Sequence, residues 1–117
     1  MTGSVIPSKE SLTVEFKSDR KRLRDDELVQ VLVCLANSEG GELWLGVEDD
    51  GTPTGLHKEH MHLAGLTGLI AARTSPALQV SVEAVTVNEI QVARITVPKA
   101  IHSEIATTAG QYLRRRL

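Results

Sequence analysis

The sequence predicts a small, single-domain α+β (α/β) fold, a mixed sheet of about five strands with two helices. Three observations lead there. Apolar residues alternate with polar ones in 12–17 and again in 42–48, the period of a half-buried strand. Between those runs, residues 25–39 repeat their apolar positions at helical spacing. The final third alternates again, broken by a turn at Asn88-Glu89, as a hairpin should. At 117 residues, 41% hydrophobic and 24% charged, the chain can build one modest core, and disordered and collagen-like classes are excluded.

Each element has a local reason. Residues 1–9, with Gly3, Ser4, Pro7 and Ser8, read as a flexible lead-in. In the first strand Leu12, Val14 and Phe16 face one way, Thr13, Glu15 and Lys17 the other. The loop SDRKRLR follows, from Ser18 to Arg24, and crowds Arg20, Lys21, Arg22 and Arg24 into five positions. Asp25 and Asp26 then suit a helix start, where carboxylates oppose the dipole and meet free N–H groups. Leu28, Val31, Leu32, Leu35 and Ala36 make the apolar face of this helix to about Glu39, and Val29 and Val33 widen it enough to demand cover on more than one side. Gly40 and Gly41 end it. Leu43, Leu45 and Val47 alternate with Glu42, Trp44, Gly46 and Glu48 in a second strand, closed by Asp49-Asp50-Gly51. A weaker second helix is predicted over His57 to about Arg73, disturbed by Gly65 and Gly68 and bounded by Pro76. The Val80–Val97 hairpin, an irregular stretch from Lys99 to Gly110 and a short strand over Gln111–Arg116 complete the chain.

Charge and cysteine content narrow the function classes. A net charge of -2 does not mark a nucleic-acid binder by bulk charge, so any basic surface must be local. The one cysteine, Cys34, excludes an internal disulfide and a Cys-rich zinc site. No secretory h-region and no bilayer-length apolar run occurs, and a cytoplasmic protein is expected. The chain ends in mid-pattern at Arg114-Arg115-Arg116-Leu117, as the N-terminal part of a longer protein would.

Five groups of residues could carry chemistry, a set of carboxylates among them. The basic candidates for phosphate contact are Lys17, Arg20, Lys21, Arg22, Arg24, Arg114, Arg115 and Arg116, since Lys and Arg give salt-sensitive, sequence-independent affinity. The competing reading is a solvated loop and a charged edge strand. With Phe16, Trp44 and Tyr112 the only aromatics, base stacking is not expected to dominate. His57, Glu59, His60 and His62 do not share one helix face and read as a polar face rather than as metal ligands. Cys34 has no sequence-local base to activate it. Gly40-Gly41 follows a helix and precedes a strand, the reverse of a phosphate loop, and no G-x-x-x-x-G-K-[ST] occurs.

Glu10-Ser11, then VEFK at Val14–Lys17, the L-A-N-x-x-G-G run from Leu35 to Gly41, LGVEDDG at Leu45–Gly51 with Gly55-Leu56, and YLR at Tyr112–Arg114 together resemble the Schlafen AlbA_2 domain. The similarity is ordered and covers residues 10–117. It departs after the last motif, where Arg115, Arg116 and Leu117 stand in place of Gly or Ser. Such domains resemble the N-terminal parts of bacterial transcriptional regulators and helicase-related proteins, followed by a further C-terminal region. The resemblance therefore implies nucleic-acid association, and the expected partner is DNA or RNA bound through phosphate contacts, with DNA the first choice.

The nuclease members of the family hold divalent metal on two glutamates spaced E-x-x-x-x-E and a later aspartate. By position, Glu10, Glu15 and Asp49 match that motif. The resemblance thus offers an alternative, an endonuclease or endoribonuclease with Mg²⁺ or Mn²⁺ on those three carboxylates as its catalytic and metal site. An odd separation would set Glu10 and Glu15 on opposite faces of one regular strand, so the site requires Glu10 before the strand or at a bend. A solvated strand residue and an acidic turn explain the same residues without metal. A third reading is an interaction or dimerisation module, a homodimer included, using the exposed edge of the hairpin.

Overall fold

The computed structural model describes residues 5–115 and has the α+β architecture. β1 (Val14–Lys17), α1 (Asp25–Ala36) and β2 (Gly41–Leu45) form a strand–helix–strand unit in which β1 and β2 are parallel and Phe16 lies opposite Trp44. Parallel strands need a crossover connection, and the apolar helix supplies it. Beyond two short 3-10 turns, Lys58–His60 and Leu63–Gly65, come α2 (Leu66–Ala72), β3 (Thr74–Ser75), β4 (Ser81–Val87), β5 (Ile90–Val97) and β6 (Ala106–Thr107). The main sheet runs β1-β2-β5-β4, and β3 pairs with β6 in a separate two-stranded ribbon.

Register sorts the side chains into two cores. Leu43 and Leu45 on β2 lie beside Ile95 and Ala93 on β5, and together they meet Leu28, Leu32, Val33 and Leu35 of α1, with Leu66 and Ile70 of α2 closing the end. On the other face Phe16, Trp44 and Val92 are roofed by Ile6 and Val47. Burying each large aliphatic contributes roughly 1.5–3 kcal/mol, so both faces matter to a chain of this length. The wide apolar band of α1 is thereby explained: Val33 is as buried as Leu28, and Val29 is only 2% exposed.

Several sequence expectations are corrected. The first strand begins at Val14, not Leu12, because 11–14 is a turn in which Ser11 and Val14 bond to each other. α1 stops at Ala36, and Gly40, at φ +76°, returns its N–H to the Leu35 carbonyl at 2.7 Å. The second strand ends at Leu45, since Gly46 sits at φ +96°. The helix expected over 57–73 is replaced by the two 3-10 turns and the short α2. Its start is broken where the His57 side chain accepts the Glu59 N–H, a cap that ends one turn rather than beginning a long helix. The irregular stretch 99–110 contains β6, paired with β3. The strand expected over 111–116 reduces to one bridge from Tyr112 to Ala106, and Arg116 lies outside the described residues. Among the described residues no helix is long and apolar enough to cross a membrane.

Candidate functional site

The turn at 11–14 reverses the chain so that Glu10 comes back alongside β1, where its carboxylate accepts the Phe16 N–H at 2.9 Å. Glu15 is next to it. The two carboxyl groups share a hydrogen bond, which, followed by burial, holds Glu10 above the ordinary carboxylate value. Burial pushes Glu15 up as well, but hydrogen bonds from Glu10 and Arg115 outweigh it and set Glu15 below that value. The two glutamates therefore titrate as a coupled pair in which Glu15 gives up its proton more readily than Glu10.

Arg115 supplies the balancing charge. Its guanidinium donates to Glu15 at 2.6 Å and to the Ser11 carbonyl at 2.7 Å, while its backbone N–H donates to the Ser38 hydroxyl at 2.8 Å. The Ser38 hydroxyl in turn donates a hydrogen bond to the Cys34 carbonyl at 2.9 Å, so the ion pair is tied to the end of α1. Burial, its leading cause, pushes the neighbouring Cys34 thiol up, which keeps it a protonated, unreactive group.

Asp49 is elsewhere. It is exposed in the turn after Val47, where Glu48 N–H reaches the Thr52 carbonyl and Asp50 accepts the Thr52 N–H at 2.9 Å. Hydrogen bonding by Thr52 lowers the Asp50 carboxyl, and hydrogen bonds led by the Thr54 hydroxyl lower Glu48. Among the described residues no three His, Cys, Asp or Glu side chains are gathered closely enough to hold a metal ion. The structure therefore brings Glu10 and Glu15 together and leaves Asp49 apart, and with Arg115 already on Glu15 the three do not fit Mg²⁺ or Mn²⁺ as they stand.

The basic residues separate into two groups at opposite ends of α1, a helix of 12 residues and so roughly 18 Å long. At its start Arg22 pairs with Asp25 at 3.0 Å and Glu59 at 3.4 Å, Arg24 with Asp26 at 3.4 Å, and Lys17 with Glu27 at 3.7 Å. Arg20 and Lys21 stay exposed at the loop tip and form no ion pair among the described residues. At the other end Arg115 is taken by Glu15, and Arg114 by Glu104 at 3.0 Å. Arg116 lies outside the described residues.

Beneath the loop lies a group that sequence reasoning missed. Asp19 is 0% exposed, and its oxygens accept the Leu23 N–H at 2.8 Å, the His57 N–H at 2.7 Å and His60 Nδ1 at 2.8 Å. A buried carboxylate is tolerated only when so satisfied. His60, expected on a polar face, is buried against it instead. No local signal marks the pair, because His57 and His60 lie 38 and 41 residues away. At the far end of α1 the Asn37 side chain braces a long-range contact: it accepts the Ile105 N–H at 2.7 Å and donates to the Ile105 and Leu113 carbonyls at 2.8 Å each. On the second sheet face the Arg94 guanidinium lies 5.8 Å over the Trp44 ring and donates to Glu42 at 2.8 Å.

Solved structures share this fold. Among solved structures the chain is similar to the DIP2311 protein of Corynebacterium diphtheriae, at 25% identity and TM-score 0.74, covering 90% of this chain and 23% of that one. The chain thus spans under a quarter of that protein's length. It also shares its fold with the N-terminal domain of a RecG-related protein from Nitrosomonas europaea, at 24% identity and TM-score 0.68, over 92% of this chain and 81% of the other. No curated protein matches. The family model described as Schlafen, AlbA_2 matches residues 10–116, and the chain belongs to that family.

Proposed function

We propose that this chain is a nucleic-acid-binding module, with DNA as its partner, of a bacterial transcriptional regulator in the cytoplasm. The observation that carries the reading is the clamped basic loop. Arg20 and Lys21 stand exposed at its tip while the buried Asp19 ties its base to Leu23, His57 and His60. A loop already fixed loses less entropy on meeting a phosphate backbone than a free one. Arg22 and Arg24 can join, because exposed ion pairs are worth only about 0–1 kcal/mol and exchange readily for phosphate. Membership of the Schlafen AlbA_2 family supports the same reading, and the protonated, half-buried Cys34 suits a reducing compartment.

The test is a salt series with labelled duplex DNA and single-stranded RNA. Binding should weaken steeply with salt, and Arg20→Ala with Lys21→Ala should lower the slope of log K against log salt by about one for each phosphate contact removed. Absence of binding at low salt, or an unchanged slope in the double variant, overturns the reading and leaves a protein-interaction role. Repeating the series with Mn²⁺ tests the endonuclease alternative. That alternative requires Arg115 to leave Glu15 and Asp49 to approach the glutamate pair, and cleavage lost in Glu15→Gln would establish it.

A further inference from the structure

The main sheet has two edges, and the chain treats them differently. At β1 the Phe16 N–H is taken by the Glu10 carboxylate at 2.9 Å, and Ser11 and Val14 bond to each other at 2.9 and 3.4 Å, so the edge is closed by the chain's own lead-in. At β4 no such cover exists among the described residues. β4 is seven residues long, pairs with β5 from Ser81↔Thr96 to Val87↔Ile90 without a bulge, and contains neither proline nor lysine. Cover, a bulge, proline and lysine are common protections of an edge strand, and among the described residues β4 has none of these; its one charge, Glu83, is paired with Arg94.

The turn fixes which groups face outward. Asn88 and Glu89, at φ 51° and 67°, make a two-residue loop, so Val87 and Ile90 are its closing hydrogen-bonded pair. Alternation along the ladder then directs the N–H and C=O groups of Val82, Ala84 and Thr86 away from β5. Their side chains share the sheet face of α2, where Met61, Leu63, Ala64 and Thr67 line a groove of about 440 Å³ with Val82 and Ala84.

An open edge of this kind takes an extended strand, and its own chemistry selects which one. Glu83 is the sole charged residue of β4, and Arg94 holds it at 3.3 Å, so a charged peptide finds no free partner there. A second β4 laid antiparallel about a twofold axis at Ala84 sets Val82 against Thr86, Glu83 against Val85 and Ser81 against Val87. No like charges meet, and every outward N–H and C=O of Val82, Ala84 and Thr86 finds its counterpart. The two grooves, each lined mainly by apolar side chains with Thr67 and Gln91, then adjoin across the axis. We propose that the chain forms a homodimer by antiparallel pairing of β4 with β4 of a second copy, centred on Ala84, which joins the two sheets into one. This goes beyond the nucleic-acid reading and stands independently of it.

Sedimentation velocity over a wide concentration series tests the dimer. The wild-type chain should show a reversible monomer–dimer equilibrium. Ala84→Lys and Ala84→Glu, each opposing a like charge to itself across the axis, should each weaken the dimer by at least about tenfold. Ala84→Pro, which removes an outward N–H and no bond to β5, should act in the same direction. Circular dichroism and melting temperature establish that each variant remains folded. An equimolar mixture of the Ala84→Lys and Ala84→Glu chains should recover dimer, since opposite charges then face each other. A wild-type chain that is monomeric throughout, a dimer indifferent to Ala84→Lys, or a mixture that recovers nothing overturns the proposal.

Discussion

The guanidinium of Arg115 meets the carboxylate of Glu15 at 2.6 Å across a separation of 100 residues, tying the C-terminal segment to β1. Both side chains are 17% exposed, so the pair is neither a surface bridge nor a fully buried one. Arg115→Gln should destabilise the chain by about 1–3 kcal/mol, because Glu15 then loses its charged donor while remaining largely out of water. Arg115→Lys, which keeps the charge without the two-pronged geometry, should fall between. Urea unfolding midpoints measure the order, and an unchanged midpoint in Arg115→Gln would show that the pair contributes nothing.

The glutamate pair should leave a mark on stability against pH. Glu15 lies below its ordinary value of 4.5, so its contribution is present above 4.5 and is lost as pH falls through its folded value. Glu10 lies above 4.5, so its contribution is full below 4.5 and is lost as pH rises through its folded value. Glu10→Gln keeps an acceptor for the Phe16 N–H and removes the second carboxylate. Relative to wild type it should therefore gain more stability at neutral pH than below 4.5. Thermal melts at neutral pH and below 4.5 decide it, and an equal change in both would refute the coupling of the two carboxyl groups.

The front of the fold was legible because its signals are local. Leu43 and Leu45 alternate with Glu42 and Trp44 in β2, Asp25 and Asp26 open α1, and Gly40 follows it, all within a few residues of what they specify. The back was not, because its bonds are long-range. Nothing near Asn37 announces that it holds Ile105 and Leu113, 68 and 76 residues on, and no periodicity marks the two-residue strands β3 and β6. In the site, the turn at Ser11 that brings Glu10 to Glu15 was an explicit requirement of the sequence reading. The capture of Glu15 by Arg115 was not, since an arginine run reads as a solvated patch until its partners are known.

Asn37 gives a sharp test of that long-range bracing. Its amide donates to two carbonyls and its oxygen accepts one N–H, so the site distinguishes an amide from a carboxylate. Asn37→Asp keeps the shape and turns a donor into an acceptor facing the Ile105 and Leu113 carbonyls. It should destabilise by about 2–4 kcal/mol, more than the cavity alone from Asn37→Ala would suggest by volume. Protonating the new carboxyl at low pH should recover part of the loss. Urea melts at neutral and acid pH read both effects, and an Asp variant as stable as wild type would remove Asn37 from the scaffold.

Two glycines should respond in opposite directions to the same substitution. Gly41 lies at φ +139°, and a Cβ there would sit 2.1 Å from the Thr13 carbonyl oxygen, which accepts the Glu42 N–H at 2.8 Å and so anchors β1 to β2. Neither backbone can move without breaking that parallel pairing, so Gly41→Ala should cost about 3 kcal/mol or more. Gly68 is inside α2 with nothing within 4 Å of its would-be Cβ, so Gly68→Ala should stabilise by roughly 0.5–1 kcal/mol through the unfolded state and helix propensity. Melting temperatures of the two variants, measured side by side, check the contrast. A tolerated Gly41→Ala would mean that β1 and β2 are not held as closely as their register implies, and the support for the Glu10–Glu15 pair would go with it.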